Sequence, residues 1–68
     1  MTTEEICEVV ILLIVRTVKE AGPAGMHRFY LYDSMVSRGF PEETINDFVR
    51  CLVQEGVLTK SGDIYRVS

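Results

Sequence analysis

The chain has 68 residues, near the lower limit at which a polypeptide folds without disulfides or a metal. A hydrophobic fraction of 47% supports a packed core and excludes a disordered chain. Ten acidic residues against seven basic ones leave a net charge of −3, a balance that favours solubility and repels phosphate backbones.

Thr2 with Glu5 three positions later is a capping-box signature, so a first helix starts there and runs to about Ala21. Gly22-Pro23 ends it, glycine taking a left-handed cap and proline refusing to continue. The apolar run Val9 to Val15 is far shorter than the roughly 20 residues of a membrane span. The acidic start Met1-Thr2-Thr3-Glu4-Glu5 lacks the basic beginning of a secretory signal. Cys7 and Cys51 lie far apart, each inside an apolar helical pattern. They are expected to be buried, reduced thiols in a cytoplasmic protein.

Pro23 to Met26 is a connector with room for one or two extended residues. A second helix is predicted from His27 to Ser37, with Leu31, Tyr32 and Met35 toward the core. One of Tyr30 and Tyr32 should be buried and the other exposed. After a turn at Arg38-Gly39-Phe40-Pro41, Pro41 suits the first position of a third helix, and Glu42 and Glu43 suit its positive end. Phe40 is placed to staple against Ile45. Ile45, Phe48, Val49 and Leu52 form the stripe of this helix, which stops at Gly56. Val57 to Lys60, a Ser61-Gly62 turn and Asp63 to Val67 make a β-hairpin. No repeat, linker or low-complexity tract interrupts the chain, so residues 1–68 are expected to form one domain, mainly α with a small β-hairpin.

The positions Leu31-Tyr32, Met35-Val36, Gly39-Phe40, Glu43, Phe48, Leu52-Val53, Gly56, Leu58, Gly62, Tyr65 and Val67 together resemble a winged helix-turn-helix. The resemblance covers about residues 24–68, with the first helix packing behind, and singles out no subfamily. It implies three helices plus a C-terminal wing whose tip is Lys60, Ser61, Gly62 and Asp63. In winged helices that bind DNA, the third helix lies in the major groove.

Charge argues against that role here. At 100° per residue, Glu43, Asn46, Asp47, Arg50 and Gln54 lie opposite Phe48 and Leu52, with Glu42 beside them. That sets three carboxylates against one guanidinium on the surface that would approach a polyanion. Duplex affinity comes largely from neutralised phosphates, and the remaining basic candidates are Lys60, Arg28 and Arg38. Asn46, Arg50 and Gln54 can nevertheless read bases. The expectation is a contact face for a protein with a basic surface.

The first helix has more apolar residues than one core requires. Ile6, Cys7, Val9, Val10, Leu13 and Ile14 supply the core stripe. Ile11, Leu12 and Val15, bordered by Lys19, form a second side. That surplus predicts self-association, most simply a two-fold homodimer, unless the connector or wing folds over it.

Catalytic, cofactor-binding and metal-binding residues are absent from this reading. His27, Cys7 and Cys51 are too dispersed for a zinc site. No glycine-rich phosphate loop is present, and no nucleophile has a base at a suggestive spacing. The residues point to a small acidic winged-helix protein acting by protein–protein contact, as a regulator or inhibitor. In style it is similar to accessory proteins of phages and mobile elements, including anti-CRISPR proteins that cover basic surfaces. Two alternatives stay open: a dimeric DNA-binding transcription regulator using the third helix and wing, and a structural adaptor in a larger complex.

Overall fold

The computed structural model describes residues 2–68; Met1 lies outside them. The elements run α1 (Thr3–Glu20), β1 (Met26–His27), α2 (Arg28–Ser37), α3 (Glu42–Gln54), β2 (Leu58–Ser61) and β3 (Ile64–Val67).

Thr2 caps α1, its hydroxyl oxygen accepting from the Glu5 amide at 3.2 Å. The Glu5 carboxylate accepts from the same hydroxyl instead of from the Thr2 amide, so the box closes through side chains. At the far end the Gly22 amide donates to the Lys19 carbonyl at 3.0 Å before Pro23 stops the helix. α2 begins one residue later than expected, because His27 is its cap: Nδ1 accepts from the Phe29 amide at 3.1 Å. Pro41 is likewise the cap of α3, with extended ψ, and not its first helical residue. This shift puts Phe40 and Ile45 in staple register, and Phe40 packs half-buried against the core that contains Ile45. Helix α3 closes with the Val57 amide donating to the Leu52 carbonyl at 2.9 Å and the Gly56 amide to that of Val53 at 3.1 Å. That bonding satisfies the last carbonyls and turns the chain into β2.

The C-terminal hairpin is part of a three-stranded antiparallel sheet of order β1-β3-β2. Met26 pairs with Tyr65 and His27 with Ile64 on one side of β3; Leu58 pairs with Val67 and Lys60 with Tyr65 on the other. Opposed residues share a face, so Met26, Lys60 and Tyr65 point one way and His27, Ser61 and Ile64 the other. The turn is Gly62-Asp63, one residue later than predicted; Ser61 belongs to β2 and opposes Ile64.

All three helices and the sheet meet in one core. It comprises Val10, Ile14 and Val18; Leu31, Tyr32 and Met35; Ile45, Val49 and Leu52; and Leu58 and Tyr65. Thr17 is buried among them and its hydroxyl donates to the Leu13 carbonyl at 2.6 Å, which satisfies it within the helix.

Burial on α1 differs from the periodicity. Val10, Ile14, Thr17 and Val18 are buried, whereas Ile6 and Val9, expected in the core, are exposed. Ile11 and Val15, expected on the free side, are half-buried and pack against the core's edge. Only Leu12 of that apolar trio is exposed. The cause is length. An 18-residue helix is about 27 Å long, while α2, with 10 residues, is about 15 Å. α1 therefore overhangs the core at its N-terminal end, where nothing from Thr3 to Val9 is buried. Cys7 sits on that overhang and is half-buried, and Cys51 is exposed on α3, so neither is the buried thiol expected. No helix among the described residues is long and apolar enough to cross a membrane.

Candidate functional site: two clefts around Arg28 and Tyr32

β1 and the hairpin set the start of α2 beside the wing, where the Arg28 amide donates to the Asp63 carbonyl at 2.7 Å. Two open clefts diverge from this corner, and Arg28 and Tyr32 line both.

The first cleft, about 650 Å³, lies between the outer face of α3 and the sheet. Glu43, Asn46, Asp47 and Arg50 line it, as the helical spacing predicted, and Arg28 and Lys60 join them from outside α3. The lining thus holds three cations and two carboxylates, which corrects the strongly acidic face expected from α3 alone. Within it, Asp47 accepts from Arg50 at 2.7 Å, both side chains exposed. Asn46 is half-buried and its carbonyl oxygen accepts from the Tyr32 hydroxyl. Of the two groups in this cleft able to read bases, Arg50 is paired to a carboxylate and Asn46 is engaged by the core. Gln54 is exposed and lines neither cleft.

The second cleft, about 480 Å³, lies between α2, the start of α3 and the wing tip. Glu42 lines this one, as do Asp33 and Asp63. Three carboxylates therefore surround Arg28 and His27, with Phe29 and Val36 beside them. Phe29 is 66% exposed and Val36 49%. Phe29 also stacks edge-on against Tyr30, 5.8 Å between ring centres, and Tyr30 against His27 at 6.5 Å. Tyr32 is buried and Tyr30 exposed, one of each as expected. Sequence reasoning missed this aromatic surface. Its available signal was Phe29 itself, two residues before Leu31 and off the Leu31–Tyr32–Met35 stripe.

Family models, curated proteins and solved structures were compared with the chain, and none matches. The functional reading therefore rests on the two clefts.

Tyr32 is the hinge between them. The Arg28 guanidinium lies 5.0 Å above its ring centre, a cation–π contact that fixes the arginine at the shared wall. Burial pushes the Tyr32 hydroxyl above its ordinary value of 10.0, nearby Tyr65 adds to this, and Arg28 opposes it. The folded state thus favours the neutral phenol. Its contribution is complete below the unfolded value and is lost as pH rises through the folded one. Tyr32→Phe should cost about 1 kcal/mol at neutral pH through the lost hydrogen bond to Asn46. It should also remove a late-ionising phenol from an alkaline absorbance titration and flatten the decline of stability above pH 10.0. Loss of an early-ionising phenol instead of the last one would contradict the burial argument.

Among the described residues, no three His, Cys, Asp or Glu side chains gather to hold a metal ion. His27 is committed to the α2 cap.

Proposed function

We propose that the chain is a winged-helix domain acting through protein contact, its second cleft holding a basic segment of a partner. The observation carrying this is the pairing of exposed apolar surface, Phe29 and Val36, with the carboxylates of Asp33, Glu42 and Asp63. An aromatic anchor beside three carboxylates, which outnumber the single cation Arg28 in the same cleft, suits a lysine- or arginine-bearing protein surface: the ring supplies desolvation energy and the carboxylates orientation. The order of three helices and a terminal hairpin supports the winged-helix assignment. A regulator or inhibitor that covers a basic, nucleic-acid-handling surface is the role this chemistry serves. The free thiols of Cys7 and Cys51 fit work in the reducing cytoplasm.

The test is affinity capture from the native host, with the partner identified and its binding then measured in isolation. Asp33→Lys with Glu42→Lys should abolish binding, and Phe29→Ala should weaken it at least tenfold, a cost of about 1.4 kcal/mol or more. A partner held equally well by all these variants would refute the assignment.

A second reading has its own observation, the convergence of Arg28, Arg50 and Lys60 on the first cleft. It makes the chain a DNA-binding regulator using α3 and the wing. Under it Arg50→Ala and Lys60→Ala, and not Phe29→Ala, would remove the activity.

A further inference from the structure

The outer face of α1, from the overhang to Leu13, carries an apolar row that its own domain leaves open. Ile6 is 47% exposed, Val9 40% and Leu12 66%, with Leu13 half-buried beside them. At 100° per residue these share an arc of about 140° with Glu5, Arg16 and Lys19. Charge along the helix is segregated: Glu4, Glu5 and Glu8 occupy the N-terminal half, and Arg16 and Lys19 the C-terminal half with Glu20. The Arg16–Glu20 pair at 3.6 Å is exposed on both sides and leaves Lys19 without a salt bridge among the described residues.

We infer that α1 pairs antiparallel with α1 of a second copy, about a two-fold axis near Leu12. In that register Val9 packs on Leu13 of the second copy, Leu12 meets its own equivalent, and Glu5 faces Lys19. The Arg16 stem covers Ile6 of the second copy while its head reaches the acidic end. Spacing dictates the match, because residues whose numbers sum to about 23 lie opposite one another on a straight antiparallel pair. A parallel pair sets like against like, Arg16 beside Arg16 and Glu5 beside Glu5, which is repulsive. The occupant is thus a second copy in one orientation, selected by charge. The residues that cover this face are separate from those of both clefts. Four apolar side chains per copy make a small interface, below the roughly 1,200 Å² of a standard complex, so the dimer dissociates on dilution.

Sedimentation equilibrium of the whole chain from micromolar to millimolar concentration tests this. The average mass should climb from one chain toward two. Leu12→Glu should hold it at one while the circular dichroism stays helical. Glu5→Lys and Lys19→Glu should each self-associate several-fold more weakly than wild type. Their equimolar mixture should associate at least as tightly as wild type, because each mixed pair restores both opposite-charge contacts. The inference is overturned by a wild-type monomer throughout, by dimers that survive Leu12→Glu, or by a mixture no tighter than its separate components.

Discussion

Gly25→Ala is expected to destabilise the domain by about 2–5 kcal/mol, with the fold of the wing corner lost first. Gly25 sits at φ 83°, where a side chain is strained, a cost of roughly 1–2 kcal/mol. A methyl there would also lie 2.6 Å from Ile64 Cγ2, 2.7 Å from Arg66 Cγ and 2.8 Å from the Tyr65 carbonyl oxygen. Relieving that overlap means moving β3 away from β1, for about 1–3 kcal/mol more. Gly22 provides the control. It has a similar φ of 76° but nothing within 4 Å, so Gly22→Ala should show the backbone strain alone. Urea unfolding of the two variants separates strain from packing. Equal losses would show that the close approach of β3 carries no cost. The effect reaches function because β1 holds the start of α2 against Asp63, where both clefts begin.

The second large effect is expected at Ile14. It is completely buried between α1 and the other helices, so Ile14→Asp places a carboxylate in an apolar core with no cation beside it. At the usual margin per residue, a 68-residue chain is stable by about 3–10 kcal/mol. Loss of the buried isoleucine alone costs about 2–5 kcal/mol, and an unpaired buried polar group adds to it. The variant should be unfolded by circular dichroism at neutral pH. Leu12→Glu, two residues away but 66% exposed, should fall within about 0.5 kcal/mol of wild type. A folded Ile14→Asp, or an unfolded Leu12→Glu, would mean that the faces of α1 have been assigned in reverse.

Local chemistry made the helices readable. The Thr2 cap, the Gly22-Pro23 stop, the Leu31–Tyr32–Met35 stripe and the Ile45–Val49–Leu52 stripe all depend on neighbours within a turn or two, and all appear in the structure. What depends on distant neighbours was not readable. β1 is two residues long and exists only because β3 lies beside it. On α1 periodicity placed Val10 and Ile14 in the core but missed the packing of Ile11 and Val15 on the core's edge and the overhang that exposes Ile6 and Val9, since both are set by neighbouring elements. Of the α3 face read from the spacing, Glu43, Asn46, Asp47 and Arg50 line the first cleft and Gln54 lines neither. The charge of that face was misjudged because Arg28 and Lys60 arrive from other elements and Glu42 lines the second cleft.

The partner proposed for the corner of α2, α3 and the wing is a basic protein surface and not a nucleic acid. A mobility-shift titration of the whole chain against mixed-sequence and selected duplex DNA, at low and physiological salt, tests it most directly. Duplex affinity requires several unopposed phosphate contacts, whereas Asp47 holds Arg50, and Glu43 stands in the same cleft. Wild type should form no sequence-dependent complex at either salt, and Glu43→Lys with Asp47→Lys should acquire weak, salt-sensitive affinity. A tight wild-type complex that depends on sequence and disappears with Arg50→Ala would contradict the account and make the first cleft a DNA-reading surface.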